Sequence, residues 1–172
     1  MASSIPGPAR ELVRRIVQAA DAAVGNDMAA YEGAVAGLAT LPMGGRVLGD
    51  LLRALLEDTH PDGFTSDDIT QVVGRCYRAA VAWLPPDRVD VTMLLAVLAG
   101  ALGIHEPGVT YQALGVPEDG GTVPVTPPSW AEYARHAPLL VADLLPYAPA
   151  MLDSYLEATF AEYAREAREE QP

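Results

Sequence analysis

The sequence predicts an all-α fold: an irregular bundle of six to seven helices around a central apolar helix at about residues 91–102, with a long Pro/Gly-rich loop at 104–128. Three observations predict it. Ala, Leu and Val dominate a chain that is 50% hydrophobic but only 6% aromatic, and Ala and Leu are the strongest helix formers. Apolar residues recur at three- and four-residue spacing along most of the chain. Alternating, strand-like patterning is confined to residues 121–126, where prolines crowd its end. A length of 172 residues suits one domain. The expected organisation is a flexible lead-in at 1–8, a helical domain at 9–168 and a frayed charged tail at 169–172.

Each element has its own signal. A first helix, 9–24, aligns Leu12, Val13, Ile16, Val17, Ala20 and Val24, with Arg10, Arg14 and Arg15 toward water. Gly25-Asn26 stops it and Asp27 can cap a second helix, 28–41, whose Ala and Gly content favours close packing and which Pro42 ends. Gly44-Gly45 opens a third, 46–57, with Val47, Leu48, Leu51, Leu52, Leu55 and Leu56 inward. Thr65 or Ser66 caps a fourth, and Asp67 and Asp68 complement its dipole. It runs to Trp83, buries Ile69, Val72, Val73, Cys76, Ala80 and Trp83, and is broken by Pro85-Pro86. Asp90 caps the fifth, 91–102. Ser129-Trp-Ala-Glu132 is a capping box for a sixth, with Trp130, Tyr133, Ala137, Leu140, Val141 and Leu144 inward. Pro138 would kink it or split it in two. A last helix, from Ala150 to about Arg168, follows Pro149 and carries the stripe Leu152, Tyr155, Leu156, Thr159, Phe160 and Tyr163.

Charge narrows the function classes. The 11 basic residues are all arginine, which fits the coding bias of a high-GC genome, and the net charge is −12. Residues 1–56 are neutral overall, so residues 57–172 carry the whole excess. Nucleic acids and anionic membranes both require a basic face, and no basic run is present. The longest apolar run, 91–104, falls short of the about 20 residues that span a bilayer. The first eight residues have no secretory pattern, so the expected location is cytoplasmic.

Two places concentrate chemistry. The turn at 57–68 holds Glu57, Asp58, His60, Asp62, Asp67 and Asp68 with no basic residue among them. Asp58, His60, Asp62 and Gly63 match the opening offsets of a helix-loop-helix calcium loop, but the closing bidentate Glu is replaced by Ile69. An ordinary connector with capping acids is favoured over divalent-metal binding. As a surface, Asp58, Asp62, Asp67 and Asp68 are the candidate partner-binding residues. The loop at 104–128, 25 residues long, is the other place. Loops of that length are often functional. His105, Glu106 and Tyr111, with Trp130 and Tyr133, are the candidate ligand-binding residues, and a covering loop is the simpler alternative. Cys76 lies on the buried face, a structural thiol. Gly44-Gly45-Arg46 lacks the rest of a phosphate loop and reads as a turn. His136, spaced four from Glu132, fails the Glu-x-x-His metal pattern and reads as a surface residue.

No nucleophile, base and orienting group occur together, no cofactor motif is found and no metal site is assigned, so the sequence leans against an enzyme. The leading expectation is a non-catalytic helical interaction or regulatory module whose acidic surface takes a protein partner of basic or mixed charge, with a homo-oligomer also open. The alternative is a small-molecule binder or enzyme with a pocket between helices under the loop at 104–128.

Overall fold

The computed structural model describes residues 7–103 and 128–169. The lead-in at 1–6, the loop at 104–127 with His105, Glu106 and Tyr111, and the tail at 170–172 lie outside the described residues. Seven α-helices form among those described: α1 (Gly7–Val24), α2 (Met28–Leu38), α3 (Gly44–Thr59), α4 (Ser66–Val81), α5 (Val91–Ala101), α6 (Trp130–Leu144) and α7 (Leu152–Glu169), with short 3-10 turns at Pro86–Arg88 and Leu145–Tyr147. No described helix is long and apolar enough to cross a membrane.

The expected caps form. Asp27 accepts from the amide of Ala30 at 3.0 Å. Thr65 and Asp68 make a reciprocal capping box on α4, as Ser129 and Glu132 do on α6. Asp90 accepts from the amides of Thr92 at 2.7 Å and Met93 at 3.4 Å. Each cap is worth about 1 kcal/mol, because it satisfies an amide that the helix itself leaves without a partner.

Local geometry moves several boundaries. Helix α2 ends at Leu38, three residues early, where Thr40 Oγ1 donates to the carbonyl of Gly37 at 2.7 Å and the chain turns before Pro42. Helix α4 stops at Val81, so Trp83 lies in the following turn, half-buried and edge-on to Tyr31 at 5.3 Å between ring centres. Val24 is exposed rather than inward, because α1 ends there and Asn26 enters the left-handed region at φ 55°. Ala19, Ala22 and Ala23 are buried instead, since α1 packs on both α2 and α6 and so buries a wider stripe than one face. Pro138 leaves α6 unbroken. Proline removes one helical amide, but here it sits inside the buried run Ala137, Pro138, Leu139, Leu140 and Val141, where packing holds the helix together.

Two helices share the centre. Leu94 to Ala99 and Ala101 of α5 are all buried, as a central apolar helix requires. Helix α6 is the wider hub and packs against α1, α2, α3, α4 and α5. Its approach to α3 depends on glycine. A Cβ added at Gly44 would lie 2.5 Å from the far edge of the Trp130 ring, and one added at Gly49 3.4 Å from the Tyr133 hydroxyl. The paired glycines at the start of α3 are therefore a seat for Trp130, not a turn or an anion cradle.

At Gly45 the added Cβ would sit 3.6 Å from the same ring, an ordinary contact. Gly44→Ala is expected to cost about 1–3 kcal/mol through overpacking, whereas Gly45→Ala should be neutral or stabilising by up to about 1 kcal/mol through helix propensity. Urea denaturation of the two variants checks the contrast, and equal effects would refute the seat.

Candidate functional site

The acidic turn between α3 and α4 divides by use. The Asp68 carboxylate accepts from the Thr65 amide at 2.8 Å and its hydroxyl at 2.6 Å. Those bonds, hydroxyl first, hold its carboxyl below the usual range. Asp58 Oδ2 accepts from the Tyr155 hydroxyl of α7 at 2.7 Å. His60 is half-buried, with Nδ1 2.9 Å from Thr59 Oγ1 and its ring edge-on to Phe64 at 4.6 Å. Asp62 and Asp67 are exposed. The turn thus commits Asp58 and Asp68 to the fold and leaves Asp62 and Asp67 facing water. Among the described residues, no group of three or more His, Cys, Asp or Glu is placed to hold a metal ion.

The Tyr155–Asp58 bond belongs to a larger arrangement. Tyr163 donates to Asp50 through a short bond, and the Arg46 guanidinium lies 4.4 Å over the Tyr163 ring while pairing with Glu166 at 2.5 Å. Asp50 and Asp58 are eight residues apart on α3, as are Tyr155 and Tyr163 on α7. Antiparallel helices pair them in one register, and a spacing of eight stays near one helical face. Burial, then the bonded carboxylate, raises both phenols: Tyr155 is pushed up to about 12 and Tyr163 further. Beside these pairs runs a groove of about 650 Å³, where Asp50, Glu57, Glu162 and Glu166 face Arg46 and Arg53. The acidic turn and α7 meet along this line.

Of the five residues expected to form a ligand site around the long loop, Trp130 and Tyr133 are among those described. Trp130 and Tyr133 do come together, stacked at 6.1 Å between ring centres. They lie along the glycines of α3 and are half-buried, and burial pushes the Tyr133 phenol up to about 12. Their role in the described structure is to pack α6 on α3.

One group departs from its sequence-based expectation and another carried no signal in the sequence. His136 is not a surface residue. It is 4% exposed, its Nδ1 lies 2.7 Å from the Glu132 carbonyl, and its Nε2 accepts from the Asp90 amide at 3.1 Å. The signal was present: residue 136 falls between Tyr133 and Leu140 on the inward face of the predicted helix. Residue type alone argued for solvent. The second is Arg75–Asp143, a pair in which Nε lies 3.0 Å from both carboxylate oxygens and Nη2 2.7 Å from Oδ2. Arg75 also rests 4.5 Å over the Tyr147 ring. Nothing local in the sequence links residues 68 apart. The pair borders a cleft of about 300 Å³ between α1, α4 and α6, floored by Cys76 and flanked by Trp83 and Tyr147. Cys76 is buried as expected, and burial followed by Asp143 raises its thiol, which keeps it protonated.

The Tyr155 proton is held more tightly in the folded chain than in the unfolded one. Its contribution to stability is therefore full below about pH 10 and is lost as pH rises toward about 12. Tyr155→Phe should cost about 1–2 kcal/mol near neutrality and flatten that part of the alkaline unfolding profile. A variant whose profile superimposes on the wild type would contradict the assignment. Comparison of the chain with known protein families, with curated proteins and with solved structures gives no match in any of the three.

Proposed function

We propose that the chain is a non-catalytic protein-interaction module that offers one acidic docking surface, built from the α3–α4 turn and the adjoining face of α7. The observation that carries this reading is the Tyr155–Asp58 hydrogen bond, which ties the start of α7 to the acidic turn. Glu57, Asp62, Asp67 and Glu157 are exposed and have no ion-pair partner among the described residues. Unpaired carboxylates on neighbouring elements set up a field that steers a basic or mixed-charge partner and weakens as salt screens it. Asp58 and Asp68 act one step back in this scheme: they hold the surface in shape rather than touch the partner.

The test is a variant carrying Glu57→Gln, Asp62→Asn, Asp67→Asn and Glu157→Gln, which leaves Asp58 and Asp68 intact. Tagged wild-type protein should capture a specific protein from the host's lysate at low salt and release it at high salt. The variant, with unchanged helicity and melting temperature, should capture none. Equal capture by the variant, salt-independent capture, or an empty pull-down from folded bait would each count against an acidic docking surface.

A second reading, a small-molecule site between helices, has the cleft beside Cys76 in its favour. Its volume of about 300 Å³ and its two flanking aromatics, Trp83 and Tyr147, fit a small flat ligand. A metabolite at 100 times its dissociation constant would stabilise the chain by about 2.7 kcal/mol. A thermal-shift screen with no response of that size removes this reading.

A further inference from the structure

His136 and Asp90 join α6 to the start of α5 through a contact whose polarity depends on one proton. Nδ1 faces a carbonyl, which only accepts, so Nδ1 carries the hydrogen and donates to Glu132. Nε2 faces an amide, which only donates, so Nε2 must be unprotonated to accept from Asp90. Both ring nitrogens are thus satisfied only by the neutral imidazole. The amide bound to Nε2 belongs to the N-cap residue of α5, whose carboxylate holds the amides of Thr92 and Met93.

We propose that His136 is a proton-operated latch between α6 and the N-terminus of α5. A proton taken from solvent at Nε2 turns that nitrogen from acceptor to donor. It then faces the Asp90 N–H donor to donor, and the bond is lost. The Asp90 carboxylate, on the residue whose amide Nε2 already meets, can receive the new N–H. Once drawn to the imidazolium, that carboxylate releases the amides of Thr92 and Met93 and α5 loses its cap. A cleft of about 290 Å³, lined by His136, Asp90, Met93, Glu132, Arg135 and Arg88, gives the proton its route.

Burial, not charge, favours the neutral ring at rest. On α6, Arg135 opposes a second positive charge, while the Glu132 carbonyl bonded to Nδ1 and the Glu132 carboxylate, itself bonded to Ser129, favour one. From the 3-10 turn, Arg88 and Asp87 line the same cleft. From α2, Glu32 lies 3.7 Å from Arg88 and 3.9 Å from Arg135, and the Tyr31 hydroxyl is bonded to the Arg135 carbonyl. From the start of α5, Asp90 supplies the attraction that a charged ring would follow. Burial outweighs that attraction and lowers the basicity of the ring from its ordinary 6.5. A histidine whose affinity for the proton falls on folding adds stability above its ordinary value, and that stability is lost as pH falls below it. The latch is therefore closed at neutral pH and opens on acidification.

The experiment is NMR on the full chain, following the His136 ring nitrogens and the amides of Asp90, Thr92 and Met93 from about pH 7 to pH 5. The ring should carry its hydrogen on Nδ1 at neutral pH. As it titrates, exchange protection at Thr92 and Met93 should fall about fivefold, the loss expected when an N-cap is removed, with the same midpoint as the ring. His136→Gln keeps an acceptor without a titrating group, and should abolish the response. Asp90→Asn keeps a cap but removes the anion, and should move the ring's midpoint down. Should His136→Gln fail to fold, the coincidence of midpoints in the wild type still decides. A ring that titrates with no change at Thr92 and Met93, an amide response that survives in His136→Gln, or a midpoint unmoved in Asp90→Asn would overturn the latch.

Discussion

Room for α6 against α3 is the constraint on which the bundle turns. Helix α6 touches five neighbours, and a helix in that position cannot be served by side-chain adjustment at every face at once. Gly44 removes one side chain where Trp130 must enter, and Gly49 leaves the Tyr133 hydroxyl its space. With that face seated, the remaining surface of α6 can bury Ala134, Ala137, Leu140, Val141 and Leu144 against the rest of the core. Both polar contacts made from inside this helix, His136 to Asp90 and Asp143 to Arg75, need α6 at that depth.

The core is apolar almost throughout, and apart from Thr159, which bonds back to Tyr155 in its own helix, its described polar groups sit where helices are joined. Tyr31 reaches the carbonyl of Arg135, His136 reaches the amide of Asp90, and Arg75 reaches Asp143. Burying such groups without partners costs more than most single contacts return. Their pairing fixes which helix meets which, a task that interchangeable leucines and alanines do poorly. Cys76, which has no such partner among the described residues, remains a protonated thiol and behaves as one more apolar filler.

Most of the fold was legible from the sequence, because the determinants are local. All six inward residues of α3 were read from spacing alone, as were the caps Asp27, Asp90 and Ser129. Errors arose where a tertiary fact decides. Gly44-Gly45 looks like a turn until Trp130 is placed over it. Pro138 looks like a break until its neighbours prove to be core. His136 looked like a solvent residue because its identity was given more weight than its position. The acidic turn was recognised as a cluster, but nothing in one sequence says that Asp58 belongs to Tyr155, which lies 97 residues away. Composition revealed the charge, and only geometry separates carboxylates that face water from those that hold helices.

The antiparallel pairing of α3 with α7 also has a bearing on time. Helices α1 and α2 are neighbours in sequence and make the most extensive contact of any two helices, so they can meet after closing a short loop. The Asp50–Tyr163 bond closes a loop of 113 residues, and its entropy cost must be met before the contact gives anything back. Helix α7 packs chiefly on α3, so the phenol–carboxylate pairs are the contacts that an opening of α7 alone would break. A partner held on that face would oppose such an opening, because binding favours the closed form it recognises.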